Sequence, residues 1–247
     1  MAFLQIQHHS ETLMKACSMY AILPKNSDKP YPVMYLLHGL SDDHTVWHRW
    51  TRIEWYVRNL HMSVVMPDGG RSFYCDAVDG PNYETYIMED VINFIDTHFN
   101  TVSERSGRVI GGLSMGGYGA MKLALKFPDK FCSVVSHSGA LGAGHKPLRS
   151  DLSDELRLIF GENPTGGKDD LYAIAEKADK TKLPAIRIDC GVDDFLIEDN
   201  RLYHRHLNDL SIKHEYEEFP GIHEWDFWNE HIQEAIAFHR KVMGSTC

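Results

Sequence analysis

The residues of this sequence best suited to chemistry are Gly112-Leu113-Ser114-Met115-Gly116. Their pattern, G-x-S-x-G, is typical of a sharp turn between a buried strand and a helix, in which the serine hydroxyl is pushed out of the sheet. The flanking glycines suit such a turn, because a Cβ at either position would collide with the neighbouring strand or helix. A helix predicted at about 118–127 directs its N-terminal N–H groups at Ser114, where they would stabilise an oxyanion.

A glycine-rich turn after a strand can also hold a phosphate, so other glycine motifs must be considered. A dinucleotide site needs G-x-G-x-x-G and a later acidic residue, and a P-loop needs Gly-Lys-Ser/Thr. The glycines here fall at 111, 112, 116, 117 and 119, and Gly-Lys-Ser/Thr does not occur. The stretch therefore favours a nucleophilic serine.

A serine hydroxyl needs a base to take its proton and an acid to orient that base. Two later turns supply both. Asp193 and Asp194 follow a predicted strand at 185–190, and His223 follows a predicted strand at 214–219. The order serine, acid, histidine, with each residue after a strand, is that of an α/β-hydrolase sheet. Either aspartate could be the acid on these grounds, and an exposed loop carboxylate is the alternative interpretation of this turn.

The remaining sequence predicts the elements that would position these residues. Two extended segments at 3–7 and 17–23 favour an antiparallel hairpin at a sheet edge, separated by a polar turn from a buried strand at 32–38. Helical spacing at 46–60 and 86–99 alternates with apolar strands at 63–67 and 131–136. This alternation predicts an α/β-hydrolase fold, with a mostly parallel sheet and helices on both faces. Residues 1–247 are expected to form one domain, in which 140–182 is a small helical cap insertion.

Composition limits the classes of partner. The chain has 247 residues and a net charge of −10 without a dense basic run, which argues against nucleic acid and anionic membranes. No 18-residue apolar run and no basic, apolar leader occur, so we expect a soluble cytoplasmic protein, and its composition is compatible with a homo-oligomer. The five cysteines are far apart, which predicts free thiols, and the histidine pairs lack a third ligand, which predicts no metal site.

The chain resembles the esterase D family of α/β-hydrolases, and within it the tributyrin esterase-like and feruloyl esterase-like bacterial carboxylesterases. The matching segments span nearly the whole sequence: 37–40 with Trp47, 72–76, 112–120, 190–196 with 198–200, and 221–228. The resemblance implies that Asp194 is the acid and His223 the base. It also implies that the backbone N–H groups of Leu40 and Met115 form the oxyanion hole.

The order of the three residues predicts a serine hydrolase, and the resemblance implies a serine carboxylesterase that hydrolyses short-chain acyl esters, such as acetyl, butyryl or feruloyl esters. The reaction is expected to pass through an acyl-enzyme and to need no cofactor. An S-formylglutathione hydrolase is the alternative enzyme, and a non-catalytic binding protein on the same scaffold is the alternative class. Trp47 and Trp225, with Trp50 and Trp228 nearby, are expected to frame an apolar pocket for the small-molecule ester, although core packing would explain them equally well. The cap matches no family pattern, so the sequence leaves the acyl and alcohol groups open.

Overall fold

The computed structural model describes residues 1–25, 28–146 and 152–244. Its described strands form one eight-stranded sheet in the order β1-β2-β4-β3-β5-β6-β7-β8. The pairs β1-β2 and β2-β4 are antiparallel, and all pairs from β4 to β8 are parallel. The strand bounds are Ala2–Ser10, Lys15–Leu23, Val33–Leu37, Ser63–Pro67, Arg108–Leu113, Ser133–His137, Ala185–Gly191 and Glu215–Phe219 for β1 to β8. The predicted edge hairpin and mostly parallel sheet are confirmed.

Helices cover both faces of this sheet. Side chains alternate along β3, so that Tyr35 packs in one core with the helix Met115–Lys126, while Met34 and Leu36 pack in the other with the helix Trp225–Gly244. The α-helix bounds are Val46–Trp50, Ile53–Val57, Tyr83–Thr85, Ile92–His98, Met115–Lys126, Ser153–Phe160, Leu171–Lys177, Ile197–Asp209 and Trp225–Gly244 for α1 to α9. The α/β-hydrolase class predicted from the sequence is thereby confirmed.

Two predicted helices differ in detail from the expectation. The single helix expected at 46–60 is two short helices, because the Thr51 hydroxyl donates to the Trp47 carbonyl and accepts the Ile53 N–H at 3.1 Å. A threonine that bonds to the local backbone in this way competes with the helical ladder and ends it. The helix expected at 86–99 begins with a π-helical segment, Tyr86–Val91, that continues into α4.

The predicted cap insertion contains α6 and α7 in the part that the structure describes. Residues 147–151, and residues 26–27 of the polar turn predicted at 26–30, lie outside the described residues. The C-terminal half of α6 is bonded to a loop of the main sheet. Val78 N–H donates to the Ile159 carbonyl at 3.0 Å and Asp79 N–H to the Leu158 carbonyl at 2.8 Å. These backbone bonds fix α6 above the carboxyl ends of the parallel strands.

Candidate active site

Ser114 occupies a strained turn between β5 and α5. Its φ is 53° and its ψ is −116°, a conformation that side-chain-bearing residues rarely adopt. Its N–H donates to the His137 carbonyl at 2.9 Å, which ties the turn to the neighbouring strand β6. A Cβ on Gly112 would lie 2.6 Å from the Gly116 carbonyl oxygen, and one on Gly116 would collide with the Leu37 carbonyl. The two glycines are therefore required by the close packing of β3, β5 and α5.

Leu40, Ser114 and Met115 all line one cavity. Met115 is the first residue of the twelve-residue helix α5, where backbone N–H groups have no helical acceptor and the helix dipole is positive. Leu40 follows Gly39, whose Cβ position would be 3.8 Å from the Ser114 Cβ. Among the described residues, the N–H of Leu40 and the N–H of Met115 donate no hydrogen bond to a backbone carbonyl of another segment. Both N–H groups therefore remain candidates for the oxyanion hole that the resemblance implies.

The turn after β7 separates the two candidate acids. Asp194 is 2% exposed and Asp193 is exposed. The Asp194 Oδ2 accepts a hydrogen bond from His223 Nδ1 at 2.8 Å, and its Oδ1 accepts the Leu196 N–H at 2.8 Å. Burial alone would raise the pKa of Asp194, but these hydrogen bonds and the proximity of His223 outweigh it and lower the pKa. Asp194 is therefore held as a carboxylate against the imidazole.

Aromatic side chains fix the His223 ring. The Phe195 ring centroid lies 4.4 Å from the imidazole centroid, and the Trp228 ring lies edge-on at 4.9 Å. The Trp228 indole N–H in turn donates to the Ser138 hydroxyl at 3.3 Å, and Ser138 contributes a hydrogen bond that lowers the pKa of Asp194. Ser138 was not singled out from the sequence, and only its position just after β6 could have indicated it.

Ser114 and His223 line the same cavity, but no hydrogen bond joins them in the described chain. Hydrogen bonds between a nucleophile and its base are often long in ligand-free enzymes and shorten when substrate binds. The His223 Nδ1–H is directed at Asp194, so the imidazole presents its other nitrogen, Nε2, as an acceptor. The arrangement can thus take a proton from a hydroxyl that approaches from the serine side.

The loop that carries Leu40 is braced by the segment after β4, a feature that the sequence analysis did not identify. The Gly69 N–H donates to His38 Nε2 at 2.9 Å, so that His38 Nδ1 donates to the Gly39 carbonyl at 2.8 Å. The buried Tyr74 hydroxyl donates to the His38 carbonyl at 3.0 Å. These bonds fix the backbone of the two residues that precede Leu40.

The cavity has a volume of about 680 Å³ and opens above Ser114. Apolar side chains form one part of its wall, contributed by the loop after β4, by α6 and by the residue just before α6: Phe73, Leu152, Leu156 and Phe160. Another part combines aromatic and acidic side chains: Asp42, Trp50, Glu224, Trp225 and Asp226.

Of the two tryptophans expected in this pocket, Trp225 lines it and Trp47 does not. Trp47 is 1% exposed, and its indole N–H donates to the Leu37 carbonyl at 2.9 Å. Its ring packs edge-on beneath Trp225, with the centroids 5.3 Å apart. The expectation for Trp47 was wrong because its indole is used to hold the end of β3. Trp50, which is 56% exposed, lines the cavity instead.

No group of three or more His, Cys, Asp or Glu side chains is arranged to hold a metal ion in the part of the chain that is described. Within the same ranges, no helix is long and apolar enough to cross a lipid bilayer.

A family model described as "Putative esterase" matches residues 10–239. The chain belongs to this esterase family. An acetyl esterase from Caldicellulosiruptor saccharolyticus is 33% identical over 98% of this chain and 99% of its own length. The present chain is a serine carboxylesterase, as its sequence predicts. The resemblance to the esterase D family is also confirmed, whereas the narrower tributyrin esterase assignment stays a prediction.

Solved structures support the same assignment for this esterase. The fluorophosphonate-binding serine hydrolase F (FphF) of Staphylococcus aureus is 31% identical and superposes with a TM-score of 0.87, covering 96% of this chain and 98% of the other. An S-formylglutathione hydrolase (FrmB) of Staphylococcus aureus is also 31% identical, with a TM-score of 0.86 and the same coverage. One of these structural relatives is thus described as a serine hydrolase and the other by the name of the thioesterase alternative.

Proposed function

We propose that Ser114, His223 and Asp194 are the catalytic triad of a carboxylesterase for short-chain acyl esters. The observation that carries this proposal is the 2.8 Å bond from His223 Nδ1 to the buried Asp194, at the wall of the cavity that Ser114 also lines. This bond fixes the neutral tautomer in which Nε2 carries a lone pair. It also stabilises the imidazolium that forms when Nε2 takes the serine proton.

The reaction proceeds in two stages. The Ser114 oxygen attacks the ester carbonyl as His223 takes its proton, and the Leu40 and Met115 N–H groups bind the oxyanion. The C–O bond to the alcohol then breaks, and His223 returns the proton to the leaving oxygen. Water next attacks the acyl-serine with His223 again as the base, which releases the carboxylic acid and restores Ser114. The residues that carry out these steps require no cofactor.

We place the acyl chain against the apolar wall and the alcohol near the acidic and aromatic wall. Phe73 from the loop after β4 and Leu156 and Phe160 from α6 offer an apolar surface large enough for more than an acetyl group. The segment 140–182, proposed as the cap insertion of a single domain, would thereby set the acyl preference. Trp225 and Trp50 would flank the alcohol instead.

S-formylglutathione is the second candidate substrate, since the Staphylococcus aureus relative carries that name. The charge of the cavity favours an ester instead. Asp42, Glu224 and Asp226 line it, whereas the lining lysine among the described residues, Lys146, is paired with Asp199. Glutathione carries two carboxylates and one ammonium group, so its net charge is negative and the carboxylates of the wall would repel it.

Kinetics on matched substrates test this choice. We expect kcat/KM for p-nitrophenyl acetate and butyrate to exceed that for S-formylglutathione by at least about tenfold, with the gap narrowing as salt screens the repulsion. The variant Glu224→Gln/Asp226→Asn should raise kcat/KM for S-formylglutathione while leaving that for the neutral esters close to wild type. A higher kcat/KM for the thioester in the wild-type enzyme would select the alternative, and no turnover of any of the three would favour a binding protein.

We further propose that the enzyme acts in the cytoplasm on a small-molecule ester. Within the described residues Cys17, Cys75 and Cys190 are free thiols, which is the usual state of cysteines in a reducing compartment.

A further inference from the structure

We infer that Arg71 is a positioning residue that couples the apolar wall of the acyl pocket to the oxyanion loop, and this inference rests on the triad and oxyanion hole proposed above. Its guanidinium bridges two elements that lie apart in the sequence. Nε and one terminal nitrogen donate to the two oxygens of Glu155 on α6, each at 2.7 Å. The other terminal nitrogen donates to the Leu40 carbonyl at 3.3 Å.

The Leu40 end of this bridge completes the brace around the oxyanion loop. The segment 69–74 already holds His38 through the Gly69 N–H and the Tyr74 hydroxyl. Arg71 adds a bond at the carbonyl of Leu40 itself, the residue whose N–H is proposed to bind the oxyanion. Because oxyanion donors act only when their direction is fixed in advance, a bond that limits rotation of Leu40 should favour the transition state.

The Glu155 end anchors the first half of α6. The second half is fixed by the backbone bonds from Val78 and Asp79 and by the edge-on contact of Phe73 with Phe160. Glu155 lies in the first turn, beside Leu152 and Leu156, which line the cavity. A two-point arginine–carboxylate pair defines an orientation as well as a distance. The pair therefore holds the apolar face of α6 over the acyl site.

Both partners are partly exposed, with 47% of the Arg71 side chain and 34% of the Glu155 side chain accessible. Exposed ion pairs contribute little to the stability of a fold. The pair therefore acts on catalysis through its position between two parts of the active site, and not through its contribution to stability. Its loss should therefore change kinetics more than it changes the melting temperature.

The two ends of the bridge predict different kinetic effects. Arg71→Gln removes both ends, so kcat should fall about threefold to tenfold for p-nitrophenyl acetate and butyrate alike, and KM should rise further for butyrate. Glu155→Gln loosens only α6, so KM for butyrate should rise while kcat for acetate stays close to wild type. Arg71→Lys keeps the charge but not the two-point geometry, so its kinetics should lie between those of the wild type and Arg71→Gln.

Arg157→Gln is the matched control, because Arg157 lies on the same helix and pairs only with the exposed Asp154 and Glu162 among the described residues. Its kinetics should equal those of the wild type. Ser114→Ala, measured in the same assay, distinguishes a failure of the proposed triad from a failure of the proposed role of Arg71. If Ser114→Ala retains activity, the proposed triad fails; if it is inactive while Arg71→Gln, Arg71→Lys and Glu155→Gln all match the wild type, the role of Arg71 alone is refuted. Losses that only follow a lowered melting temperature would also refute it.

Discussion

Replacing each of two adjacent aspartates with asparagine tests how the structure assigns the catalytic acid. Asp194 is buried and accepts bonds from His223 and from the Leu196 N–H, whereas Asp193 is exposed. Asparagine has the same shape as aspartate, so each variant changes charge and hydrogen bonding with little change in volume. The two variants therefore differ chiefly in whether the altered side chain faces the His223 imidazole.

The expected loss follows from the tautomer of His223. In Asp194→Asn the side-chain oxygen can keep the Leu196 N–H, which leaves the amide NH₂ facing His223 Nδ1. The ring then accepts at Nδ1 and carries its proton on Nε2, where it cannot take the serine proton. The carboxylate that stabilises the imidazolium is lost as well. We expect kcat to fall by about 10² to 10⁴, which corresponds to roughly 3 to 5 kcal/mol of transition-state stabilisation.

The assay is the rate of p-nitrophenyl butyrate hydrolysis at saturating substrate, with circular dichroism and thermal melting as checks of folding. Asp193→Asn should change kcat by less than about tenfold, because its carboxylate faces solvent. The reverse ranking, with both variants folded, would show that Asp193 is the acid. A loss of less than tenfold for Asp194→Asn would contradict the proposed role of the Asp194–His223 pair.

Two further predictions concern the support of the site and the stability of the fold. Tyr74→Phe removes the hydroxyl that bonds the His38 carbonyl, so kcat should fall about twofold to tenfold with KM little changed, and an unchanged kcat would show that this brace is dispensable. Burial lowers the pKa of His239 to about 3, so below pH 6.5 the unfolded chain binds a proton that the folded chain does not. This residue should therefore lower the free energy of unfolding by on the order of 1 kcal/mol per pH unit between pH 6.5 and 3. Urea titrations at several pH values measure this free energy, and in His239→Asn it should depend less steeply on pH than in the wild type. An equally steep dependence on pH would refute the assignment.

The sheet and the order of the triad could be predicted because each depends on short local patterns. Apolar strand segments alternate with helical spacing along the chain, and Ser114, Asp194 and His223 each follow a strand. In a parallel sheet the ends of such strands meet at one edge, which brings distant residues together. The choice between Asp193 and Asp194 depended on the resemblance, since neighbouring residues of one turn differ only in the direction of their side chains.

The features that sequence did not predict depend on contacts between distant segments. Trp47 could not be separated from Trp225 by spacing, because the bond from its indole to Leu37 is a tertiary contact. The break at Thr51 depends on a side chain that bonds the backbone instead of pointing to solvent. The bridge from Arg71 to Glu155 spans 84 positions, and neither residue lies in a motif.

The most direct test of the proposed mechanism is the hydrolysis of p-nitrophenyl butyrate by Ser114→Ala beside the wild type, at equal concentrations of folded protein. The hydroxyl forms the bond to the acyl group, so its removal leaves His223 and the oxyanion donors without a nucleophile. We predict that kcat falls by on the order of 10⁴ or more while the circular dichroism spectrum is unchanged. Hydrolysis within about tenfold of the wild type by the folded variant would contradict the assignment of Ser114 as the nucleophile.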